Sequence, residues 1–132
     1  LAGLGTSTAM LAVGGITTPT EPTSLSALTE SWNGTAWTEV NDINTARGKL
    51  AAAGITTSAM IFGGLPTGTA ITEKYDGTSW TEVGDLGTPM AENTGFGTTS
   101  SAISAGNNSA LVTTASQEWA DPVYAIKTVT TS

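Results

Sequence analysis

The chain has 132 residues, a formal net charge of −7, and neither cysteine nor histidine. Charged residues make up only 11% of it, whereas 16 glycines and short hydrophobic runs favour short strands and tight turns over helices. The four basic residues cannot form a face for nucleic acid or an anionic membrane, and no apolar stretch reaches the ~18 residues of a membrane span.

The first predicted element is an apolar segment that ends in a pair of glycines. It begins at Leu1 with no basic n-region, so the chain is expected to be a processed product or part of a longer chain, without a signal peptide. Residues 1–15 end in Gly14-Gly15, and residues 50–64 repeat the pattern and end in Gly63-Gly64. Glycines at a strand end allow positive φ or a close approach of another backbone.

A second matched segment follows, in which an aromatic residue and a tryptophan flank a turn. Residues 31–40 read Ser-Trp-Asn-Gly-Thr-Ala-Trp-Thr-Glu-Val, and residues 74–83 read Lys-Tyr-Asp-Gly-Thr-Ser-Trp-Thr-Glu-Val. Asn-Gly and Asp-Gly between strand residues indicate hairpins, and the Asp76 side chain is expected to hold its turn by hydrogen bonds. Because the glycine pairs are 49 residues apart and these segments 43, the first repeat contains a six-residue insertion within 16–26, predicted as a surface loop.

The second repeat divides into four predicted strands, at about 50–56, 59–62, 70–75 and 79–83. A weaker third copy follows, with a segment ending near Gly106, aromatic residues at Trp119 and Tyr124, and a last strand in 125–132. Repeats of roughly 40 to 50 residues with four short strands are typical of propeller blades. The predicted fold is therefore all-β, with three tandem four-stranded antiparallel propeller-type blades at about 1–49, 50–93 and 94–132.

The glycine pair followed by two spaced aromatic residues resembles the kelch repeat of β-propellers. The three sets are Gly14-Gly15 with Trp32 and Trp37, Gly63-Gly64 with Tyr75 and Trp80, and Gly106 with Trp119 and Tyr124. The aromatic spacing of five residues is tighter than in typical kelch repeats, and the third repeat lacks the second glycine. The sequence Tyr-Asp-Gly-Thr-Ser-Trp-Thr-Glu-Val also resembles repeat proteins of marine bacteriophages, including those that infect cyanobacteria.

Blades of this kind must pack against each other, because one blade cannot bury both of its faces. Apolar runs such as Met60-Ile61-Phe62 indicate second strands that are covered on both sides. Trp37, Trp80 and Tyr124 are expected to pack between blades. Since propellers close with about four to eight blades, three predict a protein partner, supplied by further blades of a longer propeller or by other subunits of an oligomer.

The residue types that the sequence lacks exclude most catalytic sites. Without His or Cys, neither a serine or cysteine triad nor a usual zinc or copper site can form, and one arginine, Arg47, cannot make the arginine cluster of a sialidase-type propeller. Carboxylates recur at matched positions, which favours structural or solvated roles over a glycosidase pair. These matched pairs are Glu30 with Glu73, Glu39 with Glu82, and Asp42 with Asp85. We therefore predict no enzymatic activity, no cofactor and no metal.

Two groups of side chains are candidates for contacts beyond their own blade. Arg47 and Lys49, at the start of a blade, are expected to pair with carboxylates of the next blade for a modest gain in stability. Trp32, Tyr75 and Trp119 are candidate glycan contacts, although packing between strands at equivalent repeat positions is the favoured explanation for these aromatic residues.

The low charge, the tandem repeats and the phage-like style favour a non-enzymatic structural or adhesion module at a virion surface, in a tail fibre, a tail-associated protein or a head-decorating protein. The alternative hypothesis is a secreted or cell-surface propeller that binds glycans in the extracellular space. A third hypothesis is a fragment of a glycan-degrading enzyme. None of the three involves nucleic acid or a membrane as partner.

Overall fold

The computed structural model describes residues 1–18, 24–66, 69–106, 116–120 and 125–129. Within these ranges the regular secondary structure is entirely β, and the strands form three antiparallel sheets of four strands each. The predicted all-β fold with four-stranded antiparallel sheets is confirmed. Each sheet is a meander, because within a sheet each strand pairs with the one that follows it along the chain.

The three sheets follow one another along the chain. Sheet 1 contains β1 (Ala2–Thr6), β2 (Ala9–Ile16), β3 (Leu25–Trp32) and β4 (Trp37–Val40). Sheet 2 contains β5 (Ala51–Ile55), β6 (Ser58–Phe62), β7 (Thr72–Tyr75) and β8 (Trp80–Val83). Sheet 3 contains β9 (Thr94–Thr98), β10 (Ser101–Ala105), β11 (Ser116–Ala120) and β12 (Ala125–Val129). The strands of sheet 2 lie close to the bounds predicted from the second repeat.

The insertion in the first repeat lengthens a hairpin, which corrects the prediction of a surface loop over all of 16–26. Strands β2 and β3 each have 8 residues, and their pairing extends to Ile16 opposite Leu25. Beyond that pair, the Thr17 N–H donates to the Ser24 carbonyl at 2.9 Å. The extra residues therefore continue the ladder on both sides, and the two prolines of the insertion lie outside the described residues.

The β7–β8 turn is closed by the Asp76 side chain, as predicted. One carboxylate oxygen of Asp76 accepts hydrogen bonds from the Thr78 and Ser79 N–H groups, both at 2.8 Å. These bonds, the Ser79 bond first, lower the pKa of Asp76 below its ordinary value of 3.8. Asn33 closes the β3–β4 turn in the same way, since its side-chain oxygen accepts from the Thr35 and Ala36 N–H groups at 2.9 and 3.0 Å.

The sheets pack face to face, and alternate residues of the middle sheet enter two different cores. Ile61, Tyr75 and Trp80 of sheet 2 pack with Leu11 and Val13 of sheet 1. The opposite face of sheet 2 forms a second core, with members from sheets 2 and 3 and the segment between them; its largest buried side chains are Met60, Phe62, Met90 and Trp119. The apolar run 60–62 is therefore covered on both sides of the strand, as the sequence predicts.

The sheets approach each other through their first strands. β1 lies against β5, and β5 lies against β9, whereas the second to fourth strands of each sheet contact mainly strands of their own sheet. The first strands thus form the edge at which the sheets are closest to each other.

Candidate protein interface

The loop that joins β4 to β5, residues 41–50, lies between sheet 1 and sheet 2. Its backbone is anchored to sheet 1 by hydrogen bonds from Ile43 N to Ala27 O at 3.0 Å, from Arg47 N to Ser26 O at 3.1 Å, and from Gly15 N to Arg47 O at 2.8 Å. Both backbone polar groups of Arg47 are thereby used by the sheet that precedes it. The loop belongs structurally to sheet 1.

The side chain of Arg47 points the other way, into sheet 2. It is 0% exposed, and its guanidinium donates to the Gly63 carbonyl at 2.9 Å, to the Ile71 carbonyl at 2.6 Å and to a Glu73 carboxylate oxygen at 2.9 Å. Burial lowers the pKa of Arg47, and the neighbouring Glu73 opposes that shift. The predicted pairing with a carboxylate of the next repeat is confirmed, but the pair is fully buried, and so it is not the weak surface pair that was expected.

Glu73 is held by the same loop through further donors. Its second carboxylate oxygen accepts from the Asn44 N–H and from the Asn44 side-chain amide, both at 2.8 Å, and the Thr45 N–H lies 3.4 Å from the first oxygen. The Asn44 amide also donates to the Trp80 carbonyl at 3.0 Å. Sequence reasoning did not assign a role to Asn44 or Thr45. Their donors give the buried carboxylate the hydrogen bonds that a buried charge requires.

A neutral version of the same contact joins sheet 2 to sheet 3. Met90, in the loop between β8 and β9, is anchored to the sheet 2 side, since its carbonyl accepts from Gly64 N at 2.7 Å. Its sulfur lies 3.1 Å from the Gln117 side-chain nitrogen of β11. The Gln117 amide also exchanges hydrogen bonds with the Thr88 backbone, at 3.0 and 3.2 Å. Met90 and Gln117 therefore occupy the places that Arg47 and Glu73 hold at the first interface.

The glycine pairs make room for these anchoring loops. Gly14 and Gly63 have φ of 63° and 61°, and a Cβ there would lie 2.6 Å from the Arg47 carbonyl oxygen and 2.4 Å from the Met90 carbonyl oxygen. A side chain at either position would therefore push the loop off its sheet. The next glycine of each pair, Gly15 or Gly64, donates its N–H to that same carbonyl.

Trp80 and Tyr75 lie in the interface between sheets 1 and 2. Trp80 is 6% exposed, Tyr75 is buried, and their ring centroids are 4.9 Å apart. Burial raises the pKa of Tyr75, with a further contribution from Asp76. Trp119 is fully buried in the second core. Tyr75 and Trp119 thus have no ring face open to a glycan, which corrects that hypothesis for both residues.

Trp37 and Trp32 lie on the outer side of sheet 1, and their ring centroids are 5.4 Å apart. Trp37 is 46% exposed, so the expectation that it packs between blades is wrong for the described structure. No described part of the chain lies over that side of the sheet, because sheet 2 packs on the opposite face. Trp32 is half-buried, and its indole N–H donates to the Ser7 carbonyl at 3.1 Å. Tyr124, the third residue expected in this role, lies outside the described residues.

Strand pairing defines the residues that share the outer side of sheet 1 with this aromatic pair. Residues directly opposite in an antiparallel ladder project from the same face. Met10 is opposite Trp32, and Trp32 opposite Trp37, while Ala12 is opposite Glu30. We call five of these residues the open face: Met10, Ala12, Glu30, Trp32 and Trp37. Glu39, opposite Glu30, projects from the same side at β4, as the exposed Glu82 does on sheet 2. All members of the open face are half-buried or exposed.

Sheet 2 carries the corresponding face in a covered form. The residues at matched repeat positions are Ala59, Ile61, Glu73, Tyr75 and Trp80. All of them are buried, under sheet 1 and under the loop that carries Arg47. The difference between Trp37 and Trp80 is thus a difference of neighbours, since the local sequence around the two tryptophans is nearly the same.

The remaining polar features are compatible with structural roles. Glu30, Glu39 and Glu82 are exposed, whereas Glu73, the matched partner of Glu30, is buried. Lys49 pairs with Glu92 of the following repeat at a partly exposed position, as predicted. The described ranges contain no cluster of three or more His, Cys, Asp or Glu suited to a metal ion. A helix long and apolar enough to cross a membrane is likewise absent from those ranges.

A shallow cleft of about 270 Å³ lies where the end of β4 meets the β7–β8 turn. It is lined by Val40, Asn41, Tyr75, Gly77 and Thr78. The Asn41 amide spans it to donate to the Thr78 carbonyl at 2.8 Å. This contact holds the two sheets together at their outer corner, and the cleft has no charged lining residue to fix a ligand.

Comparison with known proteins finds structures with a similar fold and does not assign the chain to a family. No protein-family model matches the sequence, and no curated protein is detectably similar to it. Among solved structures, 96 chains match, and one of them is described as "Structure of YjhT". That match has 12% identity and a TM-score of 0.76, and it covers 98% of this chain and 44% of the other. The chain therefore spans less than half the length of a structure with which it shares its fold.

Proposed function

We propose that the chain is a segment of a kelch-like β-propeller that serves as a structural or adhesion module and has no catalytic role. One observation carries the proposal: two successive sheet interfaces are built to the same plan. At each, a loop residue binds its own sheet by its backbone and the next sheet by its side chain. A contact that repeats with the sequence is suited to a tandem assembly, in which each unit contacts only its neighbours.

The arrangement of the first strands supports the propeller in particular. In propellers, four-stranded sheets stand around a central channel. The close approach of β1 to β5 and of β5 to β9 is the approach expected at the inner edge of such a ring. The similar solved structure is more than twice as long as the aligned part, which leaves room for further sheets of the same kind.

The polar side chains that could otherwise take part in catalysis hold the sheets and turns together. Arg47, Glu73 and Gln117 are buried and bound between sheets, and Asp76 is bound to its own turn. The virion surface is the proposed location, on the strength of the sequence resemblance to marine phage repeat proteins, with an extracellular propeller as the alternative.

Electron microscopy of the complete protein, purified from its source, tests the propeller. We expect class averages that show sheets arranged radially around an axis. A linear array of sheets, without a common axis, would contradict the proposal even if the sheets themselves were as described.

Glycan binding is a second candidate function, and the exposed Trp37 favours it. An exposed indole beside a second aromatic ring offers a flat apolar surface of the kind that stacks on sugars, and Glu30 and Glu39 lie nearby with free access to solvent. The test is binding of the purified chain to a panel of immobilised polysaccharides. Saturable binding that is lost in Trp37→Ala and retained in Trp80→Phe is expected under this function, and its absence across the panel would reject it.

A further inference from the structure

We propose that the open face of sheet 1 is a docking surface for a further four-stranded repeat of the same type, joined ahead of β1 as sheet 1 is joined ahead of β5. The loop at the end of that repeat carries an arginine at the position of Arg47, and Glu30 is the carboxylate that it binds. The inference rests on the proposed function, in which sheets of this type stack into a larger protein, and it adds the surface and the chemistry of the partner.

The positions of the open face differ in burial among the three sheets. On sheet 2 they are buried against the preceding sheet, and so are the four that are described on sheet 3, Ala102, Ser104, Gln117 and Trp119. Among the described residues at these positions, those on sheet 1 alone are half-buried or exposed, with Trp37 46% exposed against 6% for Trp80. The fold covers this face on two sheets and leaves it open on the first, where it carries aromatic side chains. Such a face is suited to binding the same kind of neighbouring sheet.

The open face carries a polar residue at the position where, on sheets 2 and 3, a loop residue from the preceding sheet binds. Where the loop residue is arginine, the facing residue is a carboxylate, Glu73; where it is methionine, the facing residue is a neutral amide, Gln117. Glu30 occupies the same place on sheet 1 and is exposed. A carboxylate there matches an arginine loop and not a methionine loop, because a buried charge requires an opposite charge.

The aliphatic side chains of the open face are similar in size to those on the covered face of sheet 2. On the covered sheet 2, the small Ala59 lies beside the larger Ile61, and on sheet 1 the larger Met10 lies beside the small Ala12. The larger and the smaller side chain thus exchange positions between the two sheets, while the combined size of the pair remains similar. Sheet 1 itself, which covers this pattern on sheet 2 with Leu11 and Val13, is therefore a suitable probe for the open face.

The probe is an extended chain in which a second copy of residues 1–49 precedes Leu1. Lys49 of the added copy is then followed by Leu1-Ala2, where the natural chain has Leu50-Ala51, so the junction is preserved. The key variant is Glu30→Gln in the original repeat, compared in the extended chain and in the 132-residue chain. The control is Glu118→Gln, because Glu118 lies on the outer side of sheet 3, on the face opposite Gln117.

In the extended chain, Glu30→Gln is expected to lower the urea midpoint of unfolding by about 1 M or more, because it leaves the added arginine buried without its carboxylate. In the 132-residue chain the same change is expected to leave the midpoint within about 0.2 M of the parent, since Glu30 is exposed there. Adding Arg47→Met in the added copy, which restores the neutral pair seen at the second interface, is expected to recover most of the lost midpoint.

Equal midpoints for the extended chain with and without Glu30→Gln would overturn the proposal. So would a loss of midpoint on Glu30→Gln in the 132-residue chain that depends on protein concentration, because a second copy would then be the occupant. The proposal would likewise be overturned if a polysaccharide reduced the solvent exposure of Trp37 and the added repeat did not. None of these readouts depends on ring closure, so a linear array in the microscope would reject the propeller while leaving this contact intact.

Discussion

Replacing Arg47 by methionine tests the physical account of the sheet interface. The substitution removes the bonds to Gly63 O, Ile71 O and Glu73, and it leaves Glu73 buried with only the Asn44 and Thr45 donors. Removing one partner of a buried ion pair costs about 3–5 kcal/mol. The remaining donors keep Glu73 hydrogen-bonded, so we expect the lower part of that range for Arg47→Met.

The double variant Arg47→Met with Glu73→Gln separates charge from packing. It places at the first interface the pair that the second interface already uses, Met90 with Gln117. Replacing a buried ion pair by neutral groups of similar size is often close to neutral in stability. We therefore expect the double variant to be more stable than Arg47→Met alone, with a coupling free energy of about 2 kcal/mol or more between the two changes.

The assay is urea unfolding followed by tryptophan fluorescence and circular dichroism. Lys49→Met is the control, because the Lys49–Glu92 pair comes from the same loop but is partly exposed, with 42% and 29% of the side chains accessible. It should cost less than about 1 kcal/mol. Additive costs for the two changes at positions 47 and 73, or an Arg47→Met cost equal to that of the control, would refute the reasoning.

Three further predictions follow from the same structure. Trp80→Ala should cost on the order of 3–5 kcal/mol in unfolding free energy and Trp37→Ala less than about 1 kcal/mol, because only the first removes a buried ring; similar losses would show that Trp37 is also covered. Gly63→Ala should lower the free energy of unfolding by about 1–3 kcal/mol more than Gly106→Ala does in the same assay. Both changes place a side chain at a positive φ, but of the two only Gly63 would bring a Cβ against a backbone oxygen, at 2.4 Å. Because the folded-state pKa of Asp76 is depressed, its stabilising effect is present above the ordinary value of 3.8 and is lost as pH falls through the folded-state pKa. Urea midpoints of the parent and Asp76→Asn, measured from neutral pH to about pH 3, should therefore converge in acid, and a constant difference would contradict this.

The sequence contains enough information to predict the sheets, because the signals involved are local. A glycine pair after an apolar run and an Asn-Gly or Asp-Gly turn each act within a few residues, and they recur at a fixed spacing. The insertion was harder to place, since nothing local distinguishes a loop from a lengthened hairpin. Its residues at 16 and 25 continue the ladder through backbone bonds that any sequence could make.

Burial was less predictable, because it depends on which sheet lies next to a residue. Trp37 and Trp80 have nearly the same surroundings in sequence, yet one is exposed and the other buried. The sequence does not predict the burial of Arg47, because a charged residue in a loop is usually exposed. The repeat held a signal: Met90 lies 43 residues after Arg47, and a methionine at the matched position indicates an apolar site.

We propose that these three sheets belong to a larger stacked protein. The most direct test of this proposal is the mass of the native particle, compared with the mass of the denatured chain, in material purified from the source. We expect a native particle larger than the 13.3 kDa of this chain, composed either of a longer polypeptide or of several chains. A stable native monomer of 13.3 kDa would contradict it.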